Sequence, residues 1–248
     1  MAYFEYKNYN IYYKEYGEGV PLILIHGDSA SSKMFMTELK FYSKNFRVIT
    51  LDLVGQGKSQ RVSELPFNYW HFNSMLIIEL CNHIGISNVN LLGTSGGAIV
   101  ALNAALEKPN LFNKIIADSF LGEKMSYEFA QKIIDDREKA KHKLKSKLFW
   151  FIMHGCDWKY VINQNTDLIS NFSKNMGCFY KSSVTNIKNK IILTGSKKDD
   201  LIPNIENILK DMNAKIENSK LIVFEKGNHP AMFSNNKEFR KLVLNFLS

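Results

Sequence analysis

The stretch that decides the fold is Leu91-Leu92-Gly93-Thr94-Ser95-Gly96-Gly97-Ala98-Ile99. Gly-x-Ser-x-Gly alone is a weak signal. Here it follows the apolar run Val89–Leu92 and opens the helical-period stretch Ala98–Glu107. In a strand–turn–helix context the pattern reads as a nucleophile elbow: a tight, strained turn that leaves the serine hydroxyl at its apex. Glycines two residues to either side remove side chains that would collide with neighbouring elements. The helix that begins here favours negative charge developing near its N-terminus.

Working outward, further apolar runs bounded by turn residues predict strands. Tyr3–Tyr6 and Ile11–Tyr16 form a hairpin turned by Lys7-Asn8-Tyr9-Asn10, and Pro21–Ile25 is continuous enough for a strand buried on both faces. Phe46–Leu51, Lys114–Ala117, Ile191–Thr194 and Leu221–Phe224 complete a set of eight. Helical periods fall between them at Lys33–Ser43, Phe72–Ile84, Ile205–Met212 and Lys237–Leu247. This alternation predicts an α/β fold, a mostly parallel eight-stranded sheet with helices on both faces. It breaks between about Ser119 and Ser183, where Tyr127–Ala140 and Leu144–Met153 are the clearest helical pieces. We therefore expect a core in two parts, residues 1–118 and 184–248, and a helical insertion at 119–183.

A serine nucleophile needs a base, and the base needs an orienting acid. His229 follows the last predicted strand, so a parallel sheet brings it to the same edge as Ser95. His71, His83, His142 and His154 fall in helical or insertion segments and read as surface or packing residues. The acid should follow Ile191–Thr194, where both Asp199 and Asp200 qualify. The second aspartate would be a solvated turn residue or an N-cap.

With these residues in place, the chain resembles the serine hydrolases of the α/β-hydrolase fold superfamily over almost its whole length. The resemblance implies Ser95, Asp199 and His229 as a triad in the family's order of Ser, acid, His. Counting back from Ile202-Pro203 selects Asp199, whereas counting forward from Gly195 lands on Lys198, so Asp200 stays open. His26-Gly27-Asp28 resembles the family's oxyanion loop, implying the backbone N–H of Asp28 and that of Gly96 as donors to the substrate oxygen. A carboxylate beside a developing oxyanion would repel it, so the Asp28 side chain is expected to turn away and cap a helix start at Ser29–Lys33. His26 is expected to brace its loop. Asp52-Leu53-Val54-Gly55-Gln56-Gly57-Lys58-Ser59 resembles a family turn that shapes the site without doing chemistry. A serine at position 95 sets the chain apart from haloalkane dehalogenases and epoxide hydrolases, which need an aspartate there.

The insertion would then be a cap over the site, with Phe149, Trp150, Phe151, Ile152, Met153 and Trp158 lining an acyl pocket. Its Lys132, Arg137, Lys139, Lys141, Lys143, Lys145 and Lys147 read first as a solvated face over an apolar underside. The sharper alternative is a lid that attracts an anionic substrate. The function implied is cleavage of a small carboxylic ester without a cofactor or metal. The same triad would serve a carbon–carbon hydrolase, a thioesterase or an acyltransferase. A non-catalytic small-molecule receptor on this fold is the alternative from another class.

Composition constrains the partners. Of 248 residues 45% are hydrophobic, which allows a sizeable core and excludes disorder. Three scattered cysteines suit neither a disulfide framework nor a zinc ribbon. No secretory leader and no run of about 18 apolar residues is visible, so the chain reads as a soluble cytoplasmic protein with no membrane partner. The net charge of +8 first suggests nucleic acid, but no recognition motif accompanies it. Residues 124–147 carry +4 and residues 168–198 carry +6, leaving −2 elsewhere. The excess therefore belongs to the insertion and its return to the sheet, and nucleic acid is not an expected partner.

Overall fold

A computed structural model describes residues 2–175 and 177–248. Its sheet has eight strands: β1 (Ala2–Tyr6), β2 (Tyr9–Tyr16), β3 (Pro21–Ile25), β4 (Arg47–Leu51), β5 (Val89–Thr94), β6 (Phe112–Asp118), β7 (Lys190–Ser196) and β8 (Ser219–Phe224). The order across the sheet is β1-β2-β4-β3-β5-β6-β7-β8. The β1–β2 and β2–β4 pairs are antiparallel and every other pair is parallel.

The helices are α1 (Met36–Tyr42), α2 (Tyr69–His83), α3 (Gly96–Glu107), α4 (Tyr127–Ala140), α5 (Leu144–His154), α6 (Trp158–Asn175), α7 (Ile205–Lys215), the short α8 (Ala231–Ser234) and α9 (Asn236–Leu247). The predicted helix at Lys33–Ser43 begins instead as a 3-10 turn at Ser32–Phe35, so only its second half is α-helical. Helix α6, 18 residues long, lies where no distinct helix was read.

Alternation along each strand divides the core between two faces. Ile23, Ile49, Leu91, Ile115 and Leu193 point to the side covered by α2, α3 and α7. Leu22, Leu24, Val48, Leu92, Ile116 and Ile192 point to the side covered by α1 and α9. Both faces are buried, which is why these strands are nearly uninterrupted apolar runs.

From β3 the chain crosses to β4 on one side and then returns to β5 on the other. The crevice beyond the carboxyl ends of β3 and β5 is therefore the topological switch point, where open α/β sheets place their ligands. Helices α4, α5 and α6 form the segment between β6 and β7. Among the described residues, no helix is long and apolar enough to cross a membrane.

Candidate active site

Ser95 sits between β5 and α3 with φ 55° and ψ −126°, a conformation that a non-glycine residue holds only when its surroundings enforce it. Its N–H donates to the Asp118 carbonyl at 2.8 Å. The flanking glycines permit the approach that holds it. A Cβ on Gly97 would lie 2.2 Å from the Ile25 carbonyl oxygen, and one on Gly93 would lie 2.2 Å from that of Gly97. Helix α3 can thus dock against the ends of β3 and β5 only with glycine at both positions.

His229 follows β8 and hydrogen-bonds through Nδ1 to Asp199 Oδ2 at 2.9 Å. The Asp199 side chain is fully buried and that of His229 is 11% exposed. Asp199 Oδ1 accepts the N–H groups of Leu201 and Ile202 at 2.9 and 2.8 Å, which fixes the carboxylate behind the imidazole. Asp200 is exposed, and its Oδ1 accepts the backbone N–H of His229 at 2.8 Å. The two aspartates thus have different places, one on the ring and one on the main chain. With Nδ1–H donated to Asp199, Nε2 is left as an acceptor. Ser95 and His229 line one cavity of about 620 Å³ but form no hydrogen bond with each other. Such bonds are commonly long in a free enzyme and tighten when substrate binds.

Gly27, Asp28 and Gly96 line the same cavity. Among the described residues no backbone carbonyl accepts from the N–H of Asp28 or of Gly96. His26 is buried; its Nδ1 donates to the Gly27 carbonyl at 2.8 Å and its Nε2 accepts the Leu53 N–H at 3.0 Å. Burial, the largest effect, pushes its pKa below the ordinary imidazole range. Asp52 braces the next loop by accepting the N–H groups of Ser32 and Lys58.

The Asp28 side chain corrects the sequence expectation. It caps nothing: the 3-10 turn at Ser32 has no side-chain cap. Its carboxylate turns into the site, where Oδ1 accepts the Trp70 Nε1–H at 3.2 Å and would stand 2.2 Å from a Cβ on Gly96. The absence of a side chain at Gly96 creates this seat, so the carboxyl lies against the residue that follows Ser95. Burial raises its pKa to about 6, while Arg137, the Trp70 hydrogen bond and His229 oppose the rise.

The insertion contributes cavity walls through Phe129, Ile133, Phe149, Trp150, Met153 and Ile169. Phe151 and Ile152, expected to line the pocket, face solvent at 49% and 43% exposure. The helical period explains this, because residues adjacent in sequence point about 100° apart. Trp158 is also absent from the wall; it stacks on Trp150 at 5.4 Å in a small separate cluster. Of the seven basic residues, Lys132, Lys139, Lys143, Lys145 and Lys147 are exposed, and Lys141 pairs with Glu138. Arg137 departs from the solvated face and lines the cavity.

Two further residues hold the site's surroundings: Asp118, not singled out from sequence, and His154, read there as a surface or packing residue and found buried. Asp118, at the end of β6, accepts from the hydroxyls of Thr94 and Thr194 at 3.0 and 2.8 Å and from the Met232 N–H at 3.2 Å. It ties together the ends of β5 and β7 and the start of α8, and burial raises its pKa to about 6. His154 joins α5 to the core: Nδ1 accepts the Gly57 N–H at 3.1 Å and Nε2 donates to the Ser29 carbonyl at 3.1 Å. The only sequence signal for Asp118 is an acid closing an apolar strand.

Comparisons with known proteins bear on the fold. A family model described as alpha/beta hydrolase fold matches residues 20–137. The (E)-2-((N-methylformamido)methylene)succinate hydrolase of Acinetobacter baylyi is 30% identical over a stretch that covers 44% of this chain and 40% of that relative. The chain thus spans well under half the length of the first curated relatives it matches. The 2-hydroxy-6-oxo-6-phenylhexa-2,4-dienoate hydrolase of Comamonas testosteroni is 26% identical, with 96% of this chain and 91% of that relative covered. Among solved structures, an esterase from Exiguobacterium antarcticum superposes with a TM-score of 0.77 at 19% identity, covering 96% of this chain and 95% of that one.

Proposed function

The chain is an α/β-hydrolase-fold protein, and on that premise we propose that it is a serine hydrolase that cleaves a small carboxylic ester through an acyl-enzyme. The observation that carries the reading is the 2.9 Å bond from His229 Nδ1 to buried Asp199, on the wall of the cavity that also holds strained Ser95. His229 Nε2 takes the Ser95 proton as Oγ attacks the carbonyl carbon. Asp199 keeps the proton on Nδ1 and stabilises the imidazolium that forms. The N–H groups of Asp28 and Gly96 receive the oxyanion, each worth about 3–4 kcal/mol in known sites of this kind. His229 returns its proton to the leaving alkoxide. Water, activated by the same imidazole, then releases the acid and regenerates Ser95.

In this proposal residues 119–183 act as a cap, and residues 1–118 with 184–248 form the catalytic core. The substrate is a small molecule; the exposed lysines contribute a solvated surface with no nucleic-acid role. An odd number of cysteines suits a cytoplasmic setting. A thioester or an activated carbon–carbon bond would meet the same atoms.

The test is hydrolysis of short 4-nitrophenyl esters together with labelling by a fluorophosphonate. Ser95→Ala is expected to lower kcat by at least about a thousandfold and to abolish labelling, with an unchanged far-ultraviolet spectrum. Turnover that survives in Ser95→Ala would overturn the assignment. A wild-type chain that is never labelled would favour a non-catalytic receptor.

A further inference from the structure

We propose that Arg137 is a substrate-binding residue that pairs with a carboxylate on the substrate, making the preferred substrate an anionic ester. The inference rests on the serine-hydrolase reading of the same cavity and goes further by naming the substrate class.

Arg137 lies in the last turn of α4 and lines the cavity together with Ser95 and His229. Its Nη1 has no solvent-exposed surface and no hydrogen-bond partner. Among the described residues the guanidinium takes part in no ion pair within 4.0 Å, although neighbouring Lys141 pairs with Glu138 and Lys132 with Asp136. The surrounding wall is largely apolar, with Met125, Phe129, Ile133 and Trp150 among its residues. Arg137 as a whole is half-buried, so the cost falls on Nη1: a buried N–H donor left without an acceptor is unfavourable, and folded proteins normally satisfy such groups. Arginine is also suited to this task, because its planar fork matches a carboxylate through two parallel bonds.

Asp28 is the carboxyl whose charge acts on Arg137, but the two form no ion pair within 4.0 Å. Its carboxyl is held by the Trp70 indole above Gly96. Arg137 is close enough to draw the Asp28 pKa downward, yet burial outweighs that pull. Of the other charged groups on the cavity wall, Asp136 is engaged with Lys132, and Lys33 donates to the Ile152 carbonyl at 2.6 Å. Arg137 is therefore the cation on this wall that retains its full capacity for an incoming carboxylate. A cavity of about 620 Å³ accommodates an ester with a chain of several carbons between the reacting carbonyl and that anion.

The experiment compares esters that differ only in a carboxylate. On the acyl side these are mono-4-nitrophenyl glutarate and 4-nitrophenyl pentanoate. On the alcohol side they are 4-acetoxybenzoate and phenyl acetate, followed by release of the phenol. The wild-type chain is expected to favour the anionic member of at least one pair at least tenfold in kcat/KM. Arg137→Gln is expected to erase that preference, mainly through KM, and Arg137→Lys to restore part of it. Arg137→Met separates binding from structure: a binding arginine predicts a melting temperature no lower than wild type, whereas a structural one predicts a drop. Calorimetry on Ser95→Ala gives a readout free of turnover, with monomethyl glutarate expected to bind more tightly than methyl pentanoate only while Arg137 is present.

No anionic preference in either pair, together with equal binding of the two methyl esters, would overturn the proposal and leave the serine-hydrolase reading standing. Arg137-dependent binding with no ester turnover would have the opposite meaning, removing the hydrolase reading and keeping the anion site.

Discussion

At the scale of single residues, Asp28 sets the problem. It supplies a backbone N–H to the proposed oxyanion site and, from the same residue, a carboxyl seated against Gly96. Its pKa of about 6 makes that carboxyl ionised at pH 8 and mainly neutral at pH 5. A negative charge a few ångströms from a developing oxyanion opposes it by an amount on the order of 1 kcal/mol even when well screened. Asp28→Asn is therefore expected to raise kcat on a neutral ester several-fold at pH 8, with the gain shrinking as the pH falls through 6. A ratio of mutant to wild-type kcat that does not vary with pH would rule this out. Stability should move in the same direction. The folded carboxyl binds its proton more tightly than the unfolded one, so it destabilises the native state above about pH 6. The asparagine variant should accordingly melt higher at pH 8, measured by circular dichroism. The meeting of the Ser95, Asp199/Asp200 and His229 loops was legible in the sequence, because chain order and strand ends alone bring them to one sheet edge. The direction of the Asp28 side chain was not, since that depends on the Trp70 indole 42 positions away.

At the scale of elements, the α4–α6 segment is joined to the core by a line of specific bonds. Ser31 Oγ donates to the Met153 carbonyl, Asn165 Oδ1 accepts the Ser29 N–H, and Arg61 grips Asp157 through two bonds of 2.6 and 3.0 Å. His154 is the buried titratable group in this line, and its pKa falls to about 4, with desolvation as the main cause. In the unfolded chain the imidazole binds a proton near pH 6.5, whereas the folded one stays neutral down to about 4. Between those values the unfolded state holds more protons, so native stability falls as the pH drops through the window. The full effect is on the order of 3 kcal/mol. His154→Asn offers an acceptor and a donor without titrating, and is expected to lose less melting temperature than wild type between pH 7 and pH 4.5. Equal losses would show that His154 is not the titrating latch. Helix α4 was legible because its apolar period is clear. Helix α6 was not, since Asn163, Asn165, Thr166 and Asn171 are weak helix formers. Packing through Val161, Ile162, Leu168, Ile169 and Phe172 overrides that weakness, and the Asn165 and Thr166 side chains bond back to carbonyls four residues earlier.

At the scale of the whole molecule, the proposed site exists because one sheet gathers loops from four distant parts of the chain. The first β–α turn, the Ser95 turn and the loops that carry Asp199 and His229 all leave the carboxyl edge of parallel strands. That much follows from strand order, and so it was visible in the alternation of apolar runs. The fit between layers was not visible, because it depends on how closely α3 settles onto β3. Two glycines separate these contributions. Gly97 has no positive φ, but a Cβ there would strike the backbone oxygens of Ile25 and His26 at 2.2 and 2.6 Å. The end of β3 would have to move, carrying Gly27 and Asp28 with it. Gly85 is the converse: its φ of +66° strains any other residue, while its surroundings are open. Gly97→Ala is therefore expected to cost about 1–3 kcal/mol of stability through overpacking and more than tenfold in kcat, measured by denaturant melts and ester turnover. Gly85→Ala is expected to cost about 1 kcal/mol with kcat within twofold of wild type. If both variants lost stability and kcat in the same proportion, activity would simply follow the folded fraction. A kcat loss confined to Gly97→Ala would instead locate the catalytic geometry in the seating of α3 on the sheet.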